Sequence, residues 1–350
     1  MIYIFGWAMM LLALFASEIT MNRSRIPVAL VILFVAAVAV LRGAVGTDTS
    51  TYEWLLDSSV SDVFAGGIEP VFTFLGWLFM GVTGSSIGAV RLFGLLLFVI
   101  LFYYLLRSNA NERFFLLSCF LPSFIYQYSM NTLRLGLASV FLLLAFQYVR
   151  HAHYSKRAGF SFVALGFHYS SIFNVAYLMM LRMPWARWSS VIAGVGFAVS
   201  VGLILILKSD YFLMKLSAYS AVSSPGKFSG LSKVAIIAVM LMAVSVSRMP
   251  RGDKMKLIML TTGLAVAFFA LASISYAGLR FLDLLCFSLP LAVLVAYNDN
   301  ECAFDWVIKI GLSAVGVLSM VASYRNYLQE MGQGPSPFLP YHLLDALGGL

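Results

Sequence analysis

Residues 88–106 read GAVRLFGLLLFVILFYYLL, and Arg91 is the only charged residue among them. A helix of about 20 predominantly apolar residues is long enough to cross the hydrocarbon core of a lipid bilayer. We therefore predict that this stretch is a transmembrane helix. Similar apolar stretches recur on both sides of it, at 1–16, 26–41, 114–128, 134–149, 189–207, 232–247, 257–275, 279–297 and 304–323.

The composition of the whole chain supports the same class. Of its 350 residues 61% are hydrophobic and 11% are charged, and the mean hydropathy is +0.91, whereas soluble domains carry about 25% charged residues. Nucleic-acid-binding proteins, soluble enzymes and secreted disulfide scaffolds are thereby excluded. We expect one all-α, polytopic integral membrane domain over residues 1–350, with about 10–12 transmembrane helices.

Basic residues predict how the chain is oriented, because Lys and Arg are enriched in cytoplasmic loops. Five basic clusters are predicted to be cytoplasmic: Arg23 and Arg25; Arg107 and Arg113; Arg150, Lys156 and Arg157; Arg182 and Arg187; and Arg248, Arg251, Lys254 and Lys256. The segment 43–90 contains no Lys or Arg but five acidic residues. Loops at about 42–68 and about 208–231 are therefore predicted to face the periplasm.

Two apolar stretches do not fit as single crossings. The stretch 159–181 lies between two predicted cytoplasmic clusters, so it must enter the membrane and return as a re-entrant or broken hairpin with His168 near its tip. Irregular backbone at membrane depth is tolerated where protein or a water-filled cavity covers it. The stretch 68–82 is predicted to be a half-helix or surface helix, with Pro70 in its first turn.

Ionisable residues within membrane helices are costly and therefore need an explanation. Most of them lie at predicted periplasmic ends: Arg42, Arg91, Arg134, His168, Arg280 and Asp283. Guanidinium groups match phosphate oxygens bidentately and keep their charge, so converging arginines indicate a site for a diphosphate-like anion. Three simpler readings stay open: neutralisation of Arg280 by Asp283, snorkelling of Arg42 and Arg91, and a hydrogen-bonded core histidine at position 168.

The sequence contains no motif typical of a metal-binding or nucleotide-binding site. Its three cysteines have no CxxC spacing, and the chain contains no P-loop, HExxH or DxD-type pair. We therefore expect neither a metal ion nor a cofactor.

Several short motifs occur in a characteristic order along the chain. They are R-x-x-V-G-T-D-x-x-x-Y at 42–52, Glu69-Pro70, N-x-x-R-x-G-L-A at 131–138, F-H-x-S at 167–170, Arg280, and Pro340-Tyr341. This ordered set resembles the EpsG-like branch of the Wzy-type polysaccharide polymerases, which make O-antigen, capsule or exopolysaccharide. The chain departs from the pattern at Leu135, where Gln often follows the arginine, and at Gly43, where an aromatic residue is common.

The resemblance implies a GT-C-like glycosyltransferase of the bacterial inner membrane, with its active site facing the periplasm. Such an enzyme transfers a growing glycan from undecaprenyl diphosphate to the non-reducing end of an incoming lipid-linked repeat unit. We expect an inverting, metal-independent reaction without a cofactor. The expected partners are the undecaprenyl-diphosphate-linked oligosaccharide, membrane lipids and a chain-length regulator, but no nucleic acid.

The resemblance also implies catalytic and substrate-binding roles for the motif residues. His168, Asp48 and Glu69 are the candidate bases or acceptor ligands, and Arg134 and Arg280, with Arg42 and Arg91, are the candidate diphosphate ligands. Further substrate contacts are assigned to Asn131, Tyr52, Asp283 and Tyr341. A lipid-linked oligosaccharide flippase is the main alternative; it predicts charges near the bilayer midplane and related halves, but no internal repeat is visible.

Overall fold

The computed structural model describes residues 1–43, 45–46, 48–59, 69–147, 153–182, 230–328 and 338–343. The predicted helix at 189–207 and nearly all of the predicted loop at 208–231 lie outside the described residues. Within these ranges the regular structure is helical, apart from one isolated bridge between Arg42 and Leu343.

Ten helices are described between the N-terminus and residue 182. They are α1 (Ile2–Ile19), α2 (Ile26–Val40), α3 (Thr49–Ser59), α4 (Pro70–Thr83), α5 (Ser86–Arg107), α6 (Ala110–Phe115), α7 (Leu121–Met130), α8 (Leu133–Gln147), α9 (Tyr154–Phe167) and α10 (Ser171–Arg182). A π-helical turn, Leu116–Phe120, joins α6 to α7. Four more helices are described in the range 230–328: α11 (Leu231–Val246), α12 (Arg251–Ala272), α13 (Tyr276–Asp299) and α14 (Trp306–Leu328).

Five of these helices are long and apolar enough to cross a membrane: α1, α5, α12, α13 and α14. Shorter apolar helices are α2, α4, α8, α10 and α11. The prediction of an all-α polytopic membrane protein is confirmed. The predicted interruption of the stretch 159–181 is present between Phe167 and Ser171, and Pro70 lies in the first turn of α4 as predicted.

The chain forms two compact units. The first comprises residues 1–169 and 312–350, and the second comprises residues 170–311. In the first unit α5 is central and packs against α2, α3, α4 and α8. Its buried face includes Phe93, Leu97 and Leu101. In the second unit α13 packs against α10, α11 and α12.

The π-helical turn in the first unit has a clear local cause. Pro122 has no backbone N–H, so the carbonyl of Ser118, four residues earlier, receives no helical hydrogen bond from it. Gly316 of α14 approaches this carbonyl so closely that a Cβ at position 316 would lie 1.9 Å from the oxygen. Small residues permit such close helix packing in membrane proteins.

Candidate active site

A buried carboxylate in the first unit holds two basic side chains. Glu69 Oε2 lies 2.5 Å from Arg134 Nη1, and Glu69 Oε1 lies 2.9 Å from His168 Nδ1. The Glu69 side chain is fully buried, whereas the side chains of Arg134 and His168 are 21% and 19% exposed. The carboxylate therefore anchors two groups that each retain access to the surroundings.

Three helix ends supply these side chains. Glu69 immediately precedes α4, Arg134 is the second residue of α8, and His168 immediately follows α9. Gly166 explains how α9 comes so close to α4, because a Cβ at this position would lie 2.4 Å from Cγ2 of Val71. Any larger residue would push the two helices apart, and His168 would move away from Glu69.

Two aromatic rings pack on the guanidinium of Arg134. Its Cζ lies 5.7 Å from the ring centroid of Tyr52 and 5.6 Å from that of Phe72. Both rings are buried, and their centroids are 5.7 Å apart. Cation–π contact of this kind stabilises the positive charge and restricts the orientation of the guanidinium plane.

The surroundings of Glu69 determine its charge. Burial opposes ionisation, but the hydrogen bond with His168 and the positive charge of Arg134 outweigh it and lower the pKa of Glu69 to about 2. An ionised carboxylate can only accept hydrogen bonds. Nδ1 of His168 is therefore protonated and donates a hydrogen bond to Glu69. In the neutral imidazole Nε2 is then the basic nitrogen.

Arg42, a candidate diphosphate ligand, is buried to 1% exposure. Its Nε donates to the carbonyl of Val45 at 3.2 Å, its Nη2 donates to that of Met130 at 3.4 Å, and its Nη1 donates to that of Ala39. The guanidinium of Arg42 therefore donates hydrogen bonds to backbone carbonyls and fixes the loop after α2.

Arg91 supports the same loop from α5. Its Nη2 donates to the carbonyl of Gly43 at 3.1 Å and lies 3.9 Å from the carboxylate of Glu53. The residue is 8% exposed. Neither Arg42 nor Arg91 therefore extends to the surface in the manner of a snorkelling side chain.

Three other predicted site residues lie around the loop that Arg42 fixes. Asn131, at the end of α7, accepts a hydrogen bond on Oδ1 from the backbone N–H of Asp48 at 3.0 Å. The hydroxyl of Tyr341 donates to the carbonyl of Val38 at 2.9 Å. These contacts place Asn131, Asp48 and Tyr341 around the loop that Arg42 fixes, and Tyr52 beside Arg134.

The remaining predicted residues lie in the second unit. Arg280 is exposed, with its Cζ 5.2 Å from the ring centroid of Tyr276, one turn earlier in α13. Asp283 forms an ion pair with Lys233 near the start of α11. Lys233 was not among the predicted site residues, although its position at the predicted periplasmic end of an apolar stretch could have indicated it.

Among the described residues no group of three His, Cys, Asp or Glu side chains is placed to hold a metal ion.

Comparison with known proteins identifies the family. Neither the curated proteins nor the solved structures contain a match to the chain. The model of the EpsG family matches residues 25–343, a range that includes every candidate site residue named above. The family membership indicates a polysaccharide polymerase of the glycosyltransferase type. Because the match covers most of its length, the chain belongs to the EpsG family.

Proposed function

We propose that this protein transfers a growing glycan from undecaprenyl diphosphate to the non-reducing-end sugar of an incoming lipid-linked repeat unit. The reaction takes place at the periplasmic face of a bacterial inner membrane. The observation that carries the proposal is the buried Glu69 carboxylate, which holds a cation and an imidazole side by side with both partly exposed. A fixed cation stabilises a departing diphosphate, and an imidazole accepts the proton of an acceptor hydroxyl.

Arg134 is assigned to the departing diphosphate. Negative charge accumulates on this group as the glycosidic bond breaks, and a fixed cation stabilises it without further reorganisation. Glu69 and the rings of Tyr52 and Phe72 hold the guanidinium in place before substrate binds. The arginine fork also matches the geometry of phosphate oxygens.

His168 is assigned to the acceptor sugar as the general base. The acceptor hydroxyl oxygen forms a bond to the anomeric carbon of the donor, the bond from that carbon to the diphosphate breaks, and Nε2 of His168 takes the hydroxyl proton. One displacement of this kind inverts the anomeric configuration and requires no metal ion. Glu69 orients the ring and stabilises the imidazolium that forms. His168 is preferred to Glu69 as the base because both carboxylate oxygens of Glu69 are already engaged.

Arg280 is assigned as a second contact to lipid-linked diphosphate, because its guanidinium is exposed and is oriented by Tyr276. Arg42 and Arg91 are assigned to the support of the site, since backbone carbonyls already bind them. A chain-length regulator is included in the proposal as the partner that sets the length of the product.

The test is a His168→Gln variant in cells that lack the chromosomal copy. Removal of a general base lowers the rate by about 10²–10⁴-fold, so long glycans should disappear while single repeat units still reach the cell surface. The matched control is His153→Gln, at the exposed residue before α9, which should give normal chain lengths. Loss of all surface repeat units would favour a flippase, and normal chain lengths in the His168 variant would contradict the proposal.

A further inference from the structure

The segment Phe338–Leu343, which we name the C-terminal strap, lies against α1 and the end of α2. The hydroxyl of Tyr3 donates to the carbonyl of Phe338 at 3.1 Å, and the hydroxyl of Tyr341 donates to the carbonyl of Val38 at 2.9 Å. The rings of Tyr3 and Tyr341 also meet edge to face, with centroids 6.1 Å apart. The side chains of Tyr3 in α1 and Tyr341 in the strap therefore hold the strap in place.

The backbone of the strap pairs with the loop that follows α2. The N–H of Gly43 donates to the carbonyl of His342 at 2.8 Å, and Arg42 forms an antiparallel bridge with Leu343. This pairing involves Arg42 and Gly43, which are among the first residues of the loop. The strap therefore sets the position of the loop at its first residues.

Both ends of the same loop are bonded to the last turn of α7. Arg42 Nη2 and the Thr49 hydroxyl both donate to the carbonyl of Met130, at 3.4 and 3.3 Å. The N–H of Asp48 donates to Oδ1 of Asn131 at 3.0 Å. A displacement of the loop must therefore move the end of α7 or break these hydrogen bonds.

Two routes lead from the loop to Arg134. The loop continues into α3, which carries Tyr52 onto the Arg134 guanidinium. The end of α7 continues into α8 through a tight turn, and α8 packs so closely on α7 that a Cβ at Gly136 of α8 would lie 2.4 Å from the carbonyl oxygen of Tyr128. The position of Arg134 is thus coupled to the loop from both sides.

We propose that the C-terminal strap is a positioning element for Arg134, which acts through the loop after α2 and touches no substrate itself. The inference rests on the proposed function, because it concerns the cation assigned to the departing diphosphate. Electrostatic stabilisation of a transition state depends on preorganised geometry, so a small displacement of Arg134 lowers turnover. A strap with a purely structural role would instead alter thermal stability alone.

The test is a Gly43→Ala variant, in which the new Cβ would lie 3.0 Å from the backbone oxygen of Leu343 and 3.4 Å from that of His342. The strap must then shift by a few tenths of an ångström. The matched control is Gly81→Ala in α4, where a Cβ meets nothing within 4 Å. Both variants and the wild type are reconstituted in proteoliposomes with undecaprenyl-diphosphate-linked repeat units.

For Gly43→Ala we expect kcat to fall about tenfold, with KM changed less than about twofold, because a misplaced catalytic group costs turnover more than ground-state binding. The melting temperature should stay close to that of the wild type. For Gly81→Ala neither kcat nor KM should change.

A second variant removes one contact of the strap without adding bulk. Tyr341→Phe loses the hydroxyl that bonds Val38 but keeps the ring beside Tyr3, and it should lower kcat by about threefold. Wild-type kcat in both strap variants, or a loss that matches the loss of folded protein, would overturn the strap proposal alone. Absence of polymer from the wild type would overturn the proposed function and the strap proposal with it.

Discussion

The Glu69 carboxylate is buried, but one of its oxygens forms an ion pair with Arg134 and the other accepts a hydrogen bond from His168. A buried charge is tolerated when partners and hydrogen bonds compensate it, and removal of one partner leaves the other uncompensated. Here the partners are Arg134 at 2.5 Å and His168 at 2.9 Å. Loss of the negative charge should therefore affect both catalytic groups together.

Glu69→Gln tests this dependence. The amide has nearly the same shape, but it cannot accept on both atoms, so the tautomer of His168 and the orientation of Arg134 are no longer fixed. We expect the polymerisation rate in proteoliposomes to fall by about 10²-fold or more. Glu301→Gln, at an exposed residue after α13, is the control and should retain the full rate.

The pKa of Glu69 also predicts how stability depends on pH. Its folded-state pKa of about 2 lies below the ordinary value of 4.5, because the partners favour the ionised form more than burial opposes it. The resulting stabilisation is fully present above about pH 4.5 and is lost as the pH falls through 2. The difference in melting temperature between the wild type and Glu69→Gln should therefore not shrink between pH 8 and 5 and should shrink only below that. Shrinkage near pH 6–7 would contradict the depressed pKa.

At the scale of helices, the contact between α4 and α9 determines the distance from His168 to Glu69. Gly166 of α9 faces Val71 of α4, and a Cβ at position 166 would lie 2.4 Å from Cγ2 of that valine. Valine is stiff about χ1, so it cannot easily turn aside. The two helices would have to separate.

Gly166→Ala should therefore lower the polymerisation rate by about tenfold or more. Gly159→Ala, in the same helix with nothing within 4 Å of its Cβ, should leave the rate unchanged. Addition of Val71→Ala to the Gly166 variant makes room for the new methyl group and should restore part of the rate. Equal losses in the single and double variants would show that this contact does not determine the site.

The sequence predicted some of these elements and missed others for identifiable reasons. A local signal was sufficient for the start of α4 at Pro70, and the basic clusters on either side of the stretch 159–181 indicated the break at His168. The meeting of Glu69 with Arg134 and His168 joins residues 65 and 99 positions apart, and no local periodicity encodes it. A basic residue at a helix end has the same sequence pattern whether it binds an anion or, like Arg42, backbone carbonyls.

At the scale of the whole molecule, the chain divides into two units, and the family match extends over both. The first unit contains Glu69, Arg134 and His168. The second contains the Lys233–Asp283 ion pair and the exposed Arg280. Under the proposed function Arg280 contacts lipid-linked diphosphate, so the second unit also contributes to activity.

Arg280→Gln should lower polymerisation by about tenfold, because a charge-assisted contact to phosphate is lost. Its melting temperature should hardly change, since substitutions of exposed residues usually alter stability by less than about 0.5 kcal/mol. Arg251→Gln, at the exposed first residue of α12, is the matched control. A rate equal to that of the wild type for Arg280→Gln would contradict the assignment of Arg280 to lipid-linked diphosphate.

The most direct test of the central claim is the release of undecaprenyl diphosphate during chain growth by the purified protein in proteoliposomes. The wild type should release one molecule of undecaprenyl diphosphate for each new glycosidic linkage. Arg134→Gln should lower this release by about 10²–10³-fold per molecule of folded protein. Chain growth without release, or release by the Arg134 variant at the rate of the wild type, would contradict the account.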